Sequence, residues 1–159
     1  MFDLTFFNYN NILFINLSLT EFKMTENKNG AFYDDIISFA AEKLNTEPDF
    51  PWIKYPDYAV LRHKDNKKWF ALIFDVSKDK LGLDGSDKVK ILNLKCDPIM
   101  YGSIISVDGI LPAYHMKKGS WITLLLDGTV EKELVFSLIE TSYDLTRLKI
   151  KRKNDKNDK

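Results

Sequence analysis

Apolar positions along the chain change period from one stretch to the next, and the changes mark out the elements. Over residues 31–44, Tyr33, Ile36, Ile37, Ala40 and Leu44 recur at three- and four-residue spacing and share one face of a helix. Asp34, Asp35, Glu42 and Lys43 lie largely off that face, and Asp34 and Asp35 are expected in the first turn, where they suit the helix dipole. Residues 58–63 and 68–76 are two strand-like runs joined by a polar KDNKK, the pattern of a hairpin with a basic tip. Residues 89–95 (VKILNLK) alternate at period two and predict a third strand. Residues 121–126 form an unbroken apolar run ended by Asp127-Gly128, which suits a strand buried on both faces. The turn chemistry of Lys117-Lys118-Gly119-Ser120 precedes it, so residues 113–117 are expected to pair back along it as a second basic-tipped hairpin. Residues 130–143 close the pattern as a helix, with Leu134, Leu138 and Ser142 on one face, Val135 and Ile139 beside them, and Glu131 and Glu133 in the first turn.

Between these elements, Pro48, Pro51 and Pro56 forbid regular structure, and Phe50, Trp52, Tyr55 and Tyr58 are expected to cover an edge of the core. Asp97-Pro98 predicts a short helix to about residue 106, with Asp97 as its N-cap. The order is helix, hairpin, strand, short helix, hairpin, helix. It lacks parallel crossovers, so the expected class is α+β: an antiparallel sheet with helices packed on one face. Residues 31–148 form one domain in this reading. Residues 1–30 are an extension or arm, with Met24 an alternative start, and residues 149–159 are a basic tail expected to lack fixed structure.

Composition fits a soluble globular chain, 45% hydrophobic and 29% charged. The zero net charge conceals an asymmetry, since residues 145–159 carry seven Lys or Arg against two Asp and the remainder balances that with a net −5. This excludes a uniformly basic nucleic-acid domain and leaves local basic patches. Cys96 is the only cysteine, which excludes an internal disulfide and makes a cytoplasmic setting the plain expectation. Residues 12–19 are apolar but broken by Asn16 and Ser18, too short to span a bilayer.

The candidate chemistry lies at the hairpin tips. Arg62, Lys64, Lys67 and Lys68 belong to one, and Tyr114, His115, Lys117 and Lys118 to the other. Side by side, such groups track a phosphate backbone. The plainer role of a tip lysine is to stay solvated and discourage strand pairing. Trp69 and Trp121 each begin an apolar strand and are read as core, which leaves Tyr114 as the exposed aromatic; Asn66 is read as a left-handed turn residue. Cys96 and His115 make a nucleophile and base only if they touch, and a lone cysteine is more often a small buried group. One Cys with His63 and His115 lacks zinc-ligand spacing, Asp34, Asp35 and Glu42 form no acidic ridge for iron, and Gly82 and Gly85 match no phosphate loop. No metal or cofactor is expected.

Several short motifs together resemble one known family. They are Trp52 with Pro56, Arg62-His63, Asn66-Lys67-Lys68-Trp69-Phe70, Leu94-Lys95-Cys96-Asp97-Pro98, Pro112-Ala113-Tyr114-His115-Met116-Lys117-Lys118 and Trp121-Ile122. In this order, over roughly residues 32–145, the chain resembles the YjbR/MmcQ family. The resemblance implies a CyaY-like (frataxin-like) α+β fold, described in the family as a double-wing DNA-binding module whose wings would be the two basic hairpins. The expectation is a non-catalytic protein that holds DNA through those hairpins. The alternative is a module for a small ligand or protein partner using Tyr114, His115 and Lys118.

Overall fold

A computed structural model describes residues 28–148, so the expectations for the N-terminal arm and the basic tail lie outside the described residues. The elements are helix α1 (Lys28–Leu44), strands β1 (Ala59–Arg62), β2 (Trp69–Ser77) and β3 (Lys88–Lys95), a single-turn helix α2 (Tyr101–Ile104), strands β4 (Ile110–Pro112) and β5 (Trp121–Leu125), and helix α3 (Lys132–Thr146). The five strands make one antiparallel sheet in the order β1-β2-β3-β5-β4. The class is therefore α+β.

Strand alternation divides the apolar residues between two faces. Ala71 and Ile73 of β2, Leu92 and Leu94 of β3, and Ile122 and Leu124 of β5 pack against Ile36 and Ala40 of α1 and against Val135, Leu138 and Ile139 of α3. Phe39 and Phe136 stack at 4.4 Å and join the two helices. Leu72, Phe74, Val76, Val89 and Ile91 occupy the opposite face, which no α-helix covers among the described residues and against which a short 3-10 turn at Lys78–Leu81 packs Leu81. A bulge sets the boundary between the two systems. Arg62 pairs with Trp69 but Leu61 with Ala71, so Phe70 is an extra residue, buried with Ala71 on the helix side while Trp69 joins the other face.

Buried polar groups tie the layers together. The Ser142 hydroxyl, on the apolar face of α3, donates to the Phe70 carbonyl and accepts from the Lys95 backbone N–H. Asn93, fully buried in β3, accepts from the Thr123 hydroxyl across the ladder and donates to the Tyr114 carbonyl at 2.9 Å. Each such group would cost about 1–3 kcal/mol if left unpaired, so both networks fix the register of what they touch.

Several expectations change. Helix α1 begins at Lys28, so Asp34 and Asp35 are not in its first turn, and Asp35 instead pairs with Lys132 of α3 at 2.6 Å. The α1 helix ends on left-handed Asn45 (φ 48°), with the Thr46 N–H returning to the Ala40 carbonyl. Asp97 accepts from the Ile99 N–H at 2.9 Å, which caps a turn, and the short helix forms only at Tyr101. The partner of β5 is Ile110–Pro112 rather than residues 113–117. The strand leaves the ladder at Tyr114 because its N–H goes to the Thr123 hydroxyl, and His115 is left-handed (φ 57°). In the first hairpin the left-handed residue is Lys67 (φ 58°), not Asn66. The outer edge of β1 is met at one point, where Asp49 exchanges two backbone hydrogen bonds with Val60.

Candidate functional site

Register decides what meets at the sheet ends. Lys95, the last residue of β3, pairs with Trp121, the first of β5, while Leu94 faces Ala71 near the start of β2. Residues 63–68 and 113–120 therefore open from the same end of the sheet, with the end of β3 between them. The last turn of α3 arrives there too. Lys68, Trp69, Lys95, Trp121, Leu145 and Thr146 line a shallow depression of about 390 Å³. The Lys95 ammonium sits 5.7 Å from the Trp121 ring centroid, a cation–π arrangement. Trp69 and Trp121 are both half-buried: Trp69 packs on the second apolar cluster, whereas Trp121 joins neither cluster and is not core. The bulge at Phe70 turns Trp69 away from the helices.

The first loop is docked. His63, only 3% exposed, has its Nε2 2.8 Å from the Thr146 hydroxyl and its ring 4.2 Å from that of Tyr143. Burial pushes its pKa below the usual 6.5, and the nearby charges of Arg147 and Lys68 push the same way against Asp65. The Asn66 amide donates to the Thr146 carbonyl at 3.0 Å and its oxygen accepts from the Lys68 N–H. Arg62 is not a free tip cation. It pairs with Asp49 at 2.6 Å, lies 5.9 Å from the Trp69 ring, and its Nε is buried without a partner. Lys64 bonds the Asn45 side chain at 3.0 Å. Lys67, Lys68, Lys117 and Lys118 are exposed, and none pairs with a carboxylate among the described residues.

Tyr114 and His115 serve a second region. Their rings meet edge-on at 4.0 Å, and with Lys118 and Lys80 they border a depression of about 370 Å³ beside β4. They also form one wall of a larger cleft, about 580 Å³, over the helix-free face. Its floor is Leu72, Phe74 and Val76, and the proline-broken segment supplies Trp52, Tyr55 and Tyr58 as the other wall. Those aromatics thus cover part of the second face rather than an edge of the helix-side core. Burial raises the Tyr58 pKa, helped by Tyr55, Tyr114 and Asp75. Sequence reasoning missed this cleft, together with Lys80, Lys88 and Lys95. The available signal was that β2 is apolar at both parities while only one set of helices existed to cover it.

Cys96 lies in the helix-side core, where burial raises its pKa above the usual 9.0, whereas His115 is exposed in the cleft wall on the other face. No group of three His, Cys, Asp or Glu side chains gathers among the described residues. No helix among them is long and apolar enough to cross a membrane.

The family model described as YjbR matches residues 41–145. The uncharacterised protein YyaQ of Bacillus subtilis (strain 168) is 47% identical over 114 residues, 72% of this chain and 97% of its own. A crystal structure of a Pseudomonas syringae protein superposes with a TM-score of 0.70 at 47% identity, covering 72% of this chain and 97% of that one. A Deinococcus radiodurans crystal structure of a DUF419 domain gives a TM-score of 0.55 at 28% identity, covering 71% and 76%.

Proposed function

The chain belongs to the YjbR family, and from that premise we propose that it is a non-catalytic DNA-binding protein that holds the phosphate backbone on its two hairpin loops. In this reading the fold is of the CyaY-like type and the loops are its wings. The observation that carries the proposal is the common sheet end from which both loops open, with Lys67, Lys68, Lys117 and Lys118 exposed and unpaired among the described residues. Lys95 lies between the loops. Phosphate contacts of this kind are indifferent to base sequence.

The test is fluorescence anisotropy of labelled duplexes across a salt series. Four lysine–phosphate contacts predict a log–log slope of about −3.6, from about −0.9 per contact. Lys117→Ala with Lys118→Ala removes about half of that slope, equally for unrelated sequences, with the circular dichroism spectrum unchanged. Absence of salt-dependent binding, or wild-type binding by the double variant, sinks the proposal. A second reading, a small-ligand or protein-binding module, is favoured by the shared depression of Tyr114, His115 and Lys118. It predicts binding to a neutral partner that salt leaves unchanged.

A further inference from the structure

The cleft over the helix-free face lies outside the proposed phosphate surface, and its chemistry is different. We propose that it is a binding site for a small flat aromatic acid, whose ring lies among Tyr58, Phe74 and Tyr114 and whose acid group meets Lys80 and Lys88.

Three observations converge on that class of ligand. The first is a preset aromatic wall. Tyr58 packs on Phe74 at 4.6 Å, Tyr55 stacks on Tyr58 at 4.8 Å, and Trp52 meets both Tyr58 and Trp69 edge-on. Phe74 is also 6.2 Å from Tyr114 across the floor. Rings that hold one another in this way lose little freedom when a further ring joins them. The second is unused polarity. The hydroxyls of Tyr55, Tyr58 and Tyr114 bond no side chain or backbone group among the described residues, although all three line the cleft. A volume of about 580 Å³ lined by apolar surface with a few polar groups is the make-up of a small-molecule site.

The third is charge. Lys80 and Lys88 both line the cleft, and neither pairs with a carboxylate among the described residues, while neighbouring Lys78 is engaged by Asp87 at 2.7 Å. The one carboxylate in the lining, Asp75, is matched by Lys90 at 3.0 Å. The lining therefore carries a net cationic character, which an anionic group on the ligand complements. An aliphatic acid would leave the ring faces unused, and a neutral aromatic would leave the lysines unused.

The probe is 2-naphthoate, followed by the indole N–H resonances in a nitrogen–proton NMR titration. Trp52 and Trp69 line the cleft and Trp121 lies outside it, so the protein carries its own control. Saturable shifts of Trp52 and Trp69, with Trp121 still, are expected. Lys80→Ala with Lys88→Ala weakens binding about tenfold, the scale of two partly exposed ion pairs, and leaves the weaker binding of neutral 2-naphthalenemethanol unchanged. Lys117→Ala with Lys118→Ala leaves naphthoate affinity at the wild-type value, so this proposal and the DNA proposal fail separately. The inference is overturned if Trp52 and Trp69 do not shift, if Trp121 shifts equally, or if the Lys80/Lys88 variant binds as tightly as wild type.

Discussion

The loops at residues 63–68 and 113–120 have similar inventories: each holds a histidine, exposed lysines and one left-handed non-glycine residue. They are nevertheless built to opposite ends. In the first, His63 and Asn66 both reach Thr146 in the last turn of α3, so the loop closes the helix layer against the sheet. In the second, the anchors are at the base, where the Tyr114 backbone meets Asn93 and Thr123 and the Cys96 N–H meets the Ser120 carbonyl. Its histidine and lysines stay in solvent. Loop composition alone does not separate a docked loop from one anchored only at its base; what separates them is whether the loop meets a distant element.

The strongest way to break this contrast is to cut the latch. His63→Ala removes a ring packed on Tyr143 and Phe70 together with its hydrogen bond, and should cost about 3 kcal/mol in urea unfolding. A loss below about 1 kcal/mol would show that the first loop is as free as the second.

The same residue sharpens the contrast through pH. The folded-state pKa of His63 lies below its ordinary 6.5, so the unfolded chain takes up the proton first. Its stabilising contribution is complete above about pH 6.5 and is lost as pH falls below that value. Between pH 7.5 and 5.5 the urea midpoint should fall in wild type and fall less in His63→Gln. Parallel profiles would remove His63 as the cause.

Asn66→Ala deletes two hydrogen bonds of a half-buried side chain, one within the loop and one to Thr146, and should cost about 1–2 kcal/mol. Cys96→Ala should cost about 1 kcal/mol and leave the proposed DNA binding unchanged, because the second loop is held by the Cys96 backbone, which the substitution keeps. At the small end, Lys117→Ala with Lys118→Ala should change stability by less than about 0.5 kcal/mol, since exposed turn lysines bury little. A larger drop would mean that the second loop is also structural.

The helices and most strands were legible because their apolar periods are long and clean, as in Ile36, Ala40 and Leu44 or in residues 89–95. What the sequence concealed depended on partners far along the chain. Asn66 resembles a turn former in isolation, and nothing local announces a bond to Thr146, 80 residues away. Residues 113–117 do not extend β4 because a side chain, the Thr123 hydroxyl, takes the N–H that a ladder would have used. A strand-initial Trp69 reads as core without saying which face it joins, and a one-residue bulge puts it on the cluster away from the α-helices. The basic tips are visible as composition, but composition alone groups Arg62 with them, and Asp49, from a proline-broken segment, claims its charge.

Asp49 has one more consequence. It exchanges two backbone hydrogen bonds with Val60 and holds Arg62 through its carboxylate, so the middle of β1's outer edge is already occupied. At the opposite margin, β4 is three residues long and ends on Pro112, which has no N–H to offer. Neither margin presents a run of open donors and acceptors, so a strand from another molecule finds no template on which to extend the sheet. Self-association by strand addition is thus disfavoured at both margins, which helps keep the apolar strands of this sheet from seeding aggregates.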